Sequence, residues 1–383
     1  MKLDKSVLGS LLVLSLACSS SQAKDDPDPI DTSTYAVKSI SAAGKQTCAL
    51  MRDGTVRCWG YNFDGELGDG TTVDSPLPVS VSGITNAIAA SAAGNQTCAA
   101  LDDGAVKCWG GNSRGQLGDG STTSSPLPSD VSGVSNAIAV SGGRLHSCAL
   151  LRGGSAQCWG FNFHGQLGDG TWADSPLAVP VLGLSGASSL VSGVYHNCVL
   201  IGDAMQCWGD NDDGELGSGN DTASNVPSIV LGLSHVASIT AGYGHTCAVL
   251  SDGTLSCWGY NGYGQLGDGS GVDSTLPKRV VELTKIVAAA AGEFHTCALA
   301  KSGAVWCWGD NDHGQLGDGT TNYRPKPVPV AGITNAISVI TGAFHSCAML
   351  VGGGVSCWGD NSYGQLGNGE TTNSPVPVTV QGL

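Results

Sequence analysis

From Tyr35 to Leu383 the chain alternates short apolar runs with turns rich in glycine, aspartate and asparagine. Runs of this length bounded by such turns read as β-strands, and they come in sets of four. The first of each set is small and mildly apolar, as in Ala87-Ile88-Ala89-Ala90-Ser91-Ala92 and Ile286-Val287-Ala288-Ala289-Ala290-Ala291, which suits a crowded position near a central axis. The second is Thr-Cys-Ala-Leu or a close variant, and the third is Val56-Arg57-Cys58-Trp59 and its equivalents. The fourth is rich in proline, as in Pro76-Leu77-Pro78-Val79-Ser80-Val81. A proline cannot donate to a sheet ladder, so the fourth strand is expected at a sheet edge.

The sets recur on a fixed period. Trp59, Trp109, Trp159, Trp208, Trp258, Trp308 and Trp358 are spaced by 50 residues with one interval of 49. Seven similar units that each bury little alone point to one array, not several domains. Four-stranded antiparallel units, small inside and proline-bearing outside, repeated seven times, describe an all-β, seven-bladed β-propeller over residues 35–383.

Cysteine spacing sets the register of the central hairpin in each unit. Fourteen of the fifteen cysteines form seven pairs: Cys48 with Cys58, Cys98 with Cys108, Cys148 with Cys158, Cys198 with Cys207, Cys247 with Cys257, Cys297 with Cys307, and Cys347 with Cys357. Only Cys18 is left over. With Cys48 opposite Cys58 the loop is Arg52-Asp53-Gly54, its glycine at the left-handed position of a type I turn plus bulge. In the fourth repeat one residue is missing, and the pair centres on the two-residue loop Gly202-Asp203, which keeps the cysteines opposed. No C-x-x-C occurs, and disulfides within repeats are the better reading than zinc, which places the folded part in an oxidising compartment.

The motif W-G-x-N-x-x-G-Q/E-L-G, preceded by A-G-x-x-H-T-x-A-L as in Ala241-Gly242-Tyr243-Gly244-His245-Thr246-Cys247-Ala248-Val249, resembles the repeat of the regulator of chromosome condensation family. The resemblance covers residues 35–383 and implies a seven-bladed propeller. For function it implies little by itself. A secreted bacterial member of that family inhibits β-lactamases through aromatic residues on one propeller face, and the founding member exchanges nucleotide on a small GTPase at chromatin. No individual contact carries over, because the loop residues of this chain lie outside the shared motif.

Composition narrows the alternatives. The 58 glycines fall at fixed places in each repeat and serve turns. A formal net charge of -15 argues against a nucleic-acid partner. Residues 1–17, with Lys2 and Lys5 before the apolar run Val7 to Ala17, have the build of a secretory signal. Leu14-Ser15-Leu16-Ala17-Cys18 resembles the bacterial lipobox, with Ser15 and Leu16 departing from its commonest form. Cleavage after Ser21-Gln22-Ala23 competes with it, and lipidation at the unpaired Cys18 is preferred. Residues 18–34 then read as a lipobox cysteine and flexible tether. The expected location is the cell envelope, as an outer-membrane or surface lipoprotein.

Within the repeats, His146, His196, His245, His295 and His345 stand one per unit, with Gln46 and Gln96 in their place in the first two. A hydrogen-bonding role tolerates that exchange, so they are expected to be buried ties between blade strands and not ligands. Acidic stretches such as Asp210-Asn211-Asp212-Asp213-Gly214-Glu215 have the composition of calcium loops but lack the D-x-D-x-D-G order, and no metal or cofactor is expected. The variable positions carry the information. Loops between the first and second strands and between the third and fourth emerge on one face. They hold Tyr61, Phe63, Phe161, Phe163, Tyr195, Tyr243, Tyr260, Tyr263, Phe294, Phe344 and Tyr363, eleven of the thirteen Tyr and Phe residues, beside acidic residues that include Asp212 and Asp312. Lys45, Arg114 and Arg144 are the main basic residues there. Rings among carboxylates compose a recognition surface.

The reading that follows is a non-enzymatic, lipid-anchored binding propeller for a protein or carbohydrate, expected as a monomer, with an inhibitor of a secreted or periplasmic enzyme as its more specific form. A propeller hydrolase or lyase is the alternative, weakened by repeat lengths that leave no lid and by the lack of a unique nucleophile and base. Nucleotide exchange is the weakest, given the leader and the absence of a basic tail. Cys18→Ser is expected to move the protein from the membrane to the soluble fraction on cell fractionation. Retention of the variant in membranes would assign the anchor to another feature.

Overall fold

A computed structural model describes residues 31–383; the leader, Cys18 and most of the tether lie outside the described residues. The described chain forms seven four-stranded antiparallel sheets, each built from consecutive strands in chain order. In the first blade these are Val37–Ala43, Gln46–Met51, Val56–Gly60 and Ser75–Ser80, and the other six blades repeat the plan. The small first strands line the axis, and the proline-bearing fourth strands form the outer edges, as the alternation of residue types requires.

The hairpin register is the one the cysteines dictate. Cys48 stands directly opposite Cys58, and Cys198 opposite Cys207 across the shortened turn. The same opposition holds for Cys98 and Cys108, Cys148 and Cys158, Cys247 and Cys257, Cys297 and Cys307, and Cys347 and Cys357. All seven pairs are disulfide-bonded, as expected, with Cα atoms 4.0–4.1 Å apart. Gly54 adopts φ 82°, the left-handed conformation needed to close the three-residue loop.

Each blade packs on the next through one recurring node. The backbone carbonyl of Glu66 accepts the indole Nε1–H of Trp109 at 2.9 Å and the hydroxyl of Thr97 at 2.9 Å, both from the following blade. An indole and a hydroxyl likewise meet Gln116, Glu215, Gln265, Gln315 and Gln365 around the ring, and at Gln166 the Asn197 amide replaces the hydroxyl. Every one of these tryptophans is fully buried. Gly68 makes the close approach possible: a Cβ there would stand 2.6 Å from Trp109 Nε1.

The histidines are buried ties between strands, and the strands they join belong to adjacent blades. His196 Nε2 lies 2.9 Å from Thr246 Oγ1, and His245 Nε2 lies 2.9 Å from Thr296 Oγ1 of the next blade. Because each hydroxyl already donates to the Gln or Glu carbonyl, the imidazole must donate, which fixes the Nε2–H tautomer. Gln46 supplies the equivalent donor to Thr97 at 3.1 Å, explaining the exchange of amide for imidazole. Ring closure uses the same chemistry and no strand exchange. Thr47 takes His345 at 2.8 Å and donates to the Gln365 carbonyl at 3.0 Å, while Trp59 reaches that carbonyl at 2.9 Å.

Two outcomes test this frame. Intact mass with and without reduction and alkylation is expected to show seven bridges, each within a repeat and each contributing about 2–3 kcal/mol. Thr47→Val at the closing interface and Thr246→Val at an internal one should lower unfolding free energy by a similar amount, about 1–3 kcal/mol, since each strands a buried imidazole N–H. A much smaller loss for Thr47→Val in urea unfolding would show that the closing interface is not equivalent to the others.

Candidate functional site

The face bearing the loops after the first and third strands is built from rings of equivalent positions, seven per ring. Its innermost ring is Gly44, Gly94, Arg144, Val194, Tyr243, Glu293 and Ala343, which surrounds the mouth of an axial cavity of about 740 Å3. Beneath the rim the cavity wall consists of small first-strand residues such as Ser91, Gly142 and Ala291.

Outside that rim, the invariant Asn of the motif is structural. Asn62 is buried, its Oδ1 accepting Leu67 N–H at 2.8 Å and its Nδ2 donating to the Thr71 and Val73 carbonyls. This shapes the loop and aims its neighbours outward.

The sequence-predicted rings gather into three groups. Tyr61 meets Tyr363 edge-on at 5.0 Å and stacks with Phe63 at 6.4 Å, and Lys45 Nζ sits 4.6 Å from the Tyr363 centroid. Phe161 and Phe163 stack at 6.3 Å, with Arg114 5.2 Å from the Phe161 centroid and Tyr195 5.9 Å away. Phe294 lies at the centre of the third group, 5.2 Å from Tyr243, 5.0 Å from Tyr263, 6.0 Å from Tyr260 and 6.4 Å from Phe344. Tyr195 therefore joins the Phe161 group by its ring contacts. Phe63, Phe163 and Tyr263 are exposed, as are Asp212 and Asp312, and the other rings are half-buried against one another.

Two histidines belong to this face that residue counting did not single out. His164 stacks on Tyr195 at 5.1 Å and pairs with Asp210 at 3.0 Å, and His313 packs on Phe344 at 5.1 Å. Both occupy the residue before the G-Q of the motif, where other repeats have Asp64, Arg114, Asp213, Tyr263 and Tyr363. Alignment of the repeats on that residue would have found them.

The position after W-G separates fold from function. In the last two blades it is Asp310 and Asp360, both buried, each accepting the amide of Gln315 or Gln365 at 2.8 Å. These two carboxylates serve the fold. In the first, third and fifth blades the same position is Tyr61, Phe161 and Tyr260, and Glu66 Oε1, Gln166 Nε2 and Gln265 Nε2 are left buried without a hydrogen-bond partner in the protein. A buried polar atom deprived of its partner costs roughly 1–3 kcal/mol. In the fourth blade Asp210 shares its site with another acid, Glu215. Burial and then the Asp210 charge push Glu215 up to about 8, and burial pushes Glu66 up to about 7.

The fold and its motifs place the chain among the repeat propellers, and the RCC1-like domain family matches it over residues 7–331 and 136–383. The chain belongs to that family. No curated protein matches it. Among solved structures it is similar to human WBSCR16, at 23% identity and a TM-score of 0.79 over 86% of this chain and 94% of that one. Yeast RCC1 (Prp20), solved with Kap60 bound, is similar at 21% identity and a TM-score of 0.75 over 96% of this chain and 91% of that one. A second structure of Prp20p from Saccharomyces cerevisiae, described with its binding to Gsp1p and histones, gives 22% and 0.74 over 91% and 88%. At these identities the likeness shows the fold. The seven disulfides suit an oxidising environment.

Buried histidines and acids set opposite pH limits. Burial lowers His196, His245 and His295 from 6.5 to about 3, and His146 and His345 to about 4. A base depressed in the fold adds stability above its unfolded pKa of 6.5, and that stability is lost as pH falls from there toward the folded value. Glu66 and Glu215, raised in the fold from 4.5, add stability at low pH and lose it as pH climbs through about 7 and 8. Where the two ranges overlap, between pH 4.5 and 6.5, the five histidines outweigh the two glutamates. Stability should peak near pH 7 and fall on both sides, as read from urea midpoints at about pH 5, 7 and 9. Glu66→Gln should flatten the alkaline limb, and an unchanged limb would contradict the assignment.

Proposed function

We propose that this protein is a bacterial, lipid-anchored binding propeller of the cell envelope, with no catalytic activity of its own, whose aromatic loop face grips a protein or carbohydrate partner. The observation that carries the reading is the exchange at the position after W-G. Asp310 and Asp360 show what the fold favours there, an acceptor for the buried amide. Phe161 and Tyr260 forgo that hydrogen bond and, with Tyr61 beside Glu66, add rings to the loop face. A residue kept against the stability of its own fold is a mark of function. Rings half-buried against one another, flanked by Lys45 and Arg114, form preassembled platforms that lose little side-chain freedom on contact. The apolar run after Lys2 and Lys5, the lipobox-like stretch ending at Cys18 and the disulfides support the location.

The test separates stability from capture. Phe161→Asp and Tyr260→Asp should each raise unfolding free energy by about 1 kcal/mol by restoring the amide partner, while weakening capture of the partner isolated from envelope extract or a glycan array. Phe163→Ala with Tyr263→Ala, both exposed, should cut affinity about thirtyfold or more with stability within about 0.5 kcal/mol. Asp53→Ala with Asp252→Ala on the opposite face should leave capture intact. Full capture by the aromatic variants would place the binding site elsewhere.

A further inference from the structure

The axial cavity, at about 740 Å3, lies in the size range of small-molecule sites. Of the seven equivalent rim positions two carry charge, Arg144 on the third blade and Glu293 on the sixth. Three blades apart in a ring of seven, they face each other across the mouth. Among the described residues neither charged end meets a hydrogen-bonding or ion-pairing partner. Lys45, the other cation nearby, is engaged by Tyr363, 3.5 Å from its hydroxyl and 4.6 Å from its ring centroid.

Arg144 is exposed, and only the base of its side chain packs on the neighbouring blade. Gly94 of the neighbouring blade leaves a notch for it, since a methyl there would stand 2.5 Å from Arg144 Cα and 2.9 Å from Cγ. Glu293 is half-buried, and burial raises its pKa, with the Arg144 and Lys45 charges opposing that rise and Asp310 adding to it. Tyr243 stands on the rim and feels both the Arg144 and Glu293 charges. An exposed cation and a half-buried anion on opposite sides of a small cavity mouth, each without a hydrogen-bonding or ion-pairing partner among the described residues, match a small ligand that carries both charges.

We propose that the mouth binds a small zwitterion, a free α-amino acid or dipeptide, with its ammonium on Glu293 and its carboxylate on Arg144. The flank of Tyr243 and the small-residue wall then receive its side chain. The mouth shares Tyr243 with the third aromatic group, but the zwitterion proposal does not depend on the macromolecular partner of the outer rings.

The experiment titrates the purified propeller, by calorimetry and ligand-observed NMR, with the common free α-amino acids and with dipeptides covering the same side chains. Saturable binding with a dissociation constant of about 1 mM or tighter is expected for at least one of them. Its N-acetylated and C-amidated forms should each bind about tenfold or more weakly. Glu293→Gln should abolish the penalty of acetylation, and Arg144→Gln the penalty of amidation, with thermal unfolding unchanged. Absence of saturable binding below about 10 mM across the set would overturn the proposal, as would binding indifferent to both caps. Cap penalties that persist in the two variants would overturn the residue assignment. The cap comparison in the unmutated chain decides the ligand class even if a variant fails to fold.

Discussion

One main-chain carbonyl per blade, that of the Gln or Glu before the motif leucine, receives an indole N–H and a hydroxyl or amide from the next blade. The rest of the ring depends on this node. It anchors the largest buried side chain of each repeat, and it fixes the direction of the hydroxyl, which in turn fixes the histidine tautomer behind it. Because the node sits in every interface, the contact of seventh blade with first needs no exchanged strand and rests on Thr47, Trp59, His345 and Gln365.

A frame so repetitive leaves few positions free to differ, and those positions ring the axis on one face. The inner rim holds two opposite charges, and the next rings hold the aromatic groups. Where a ring replaces aspartate after W-G, the frame loses a hydrogen bond, at Gln166 and Gln265 for Phe161 and Tyr260. Where aspartate remains, at Asp310 and Asp360, the same amide is satisfied and the carboxylate is buried. The acidic character of the outer face therefore rests on fewer groups than the residue count suggests, among them the exposed Asp212 and Asp312.

Strand content, blade number, the edge position of the proline strand and the opposition of Cys48 to Cys58 are all legible in the chain itself, because each follows from residues close in sequence. Alternation sets which side chains face inward, turn glycines such as Gly54 set the loop, and a ten-residue cysteine spacing sets the register. What was not legible depends on residues far apart. The tie from His245 to Thr296 spans 51 positions, and the tie from Thr47 to His345 spans 298. That Asp310 serves Gln315 while Phe161 strands Gln166 depends on what the folded loop buries, as does the facing of Arg144 and Glu293. Sequence by itself determined the blade, since a blade is a local object; only closure of seven blades around one axis decided which side chains meet across interfaces and at the mouth.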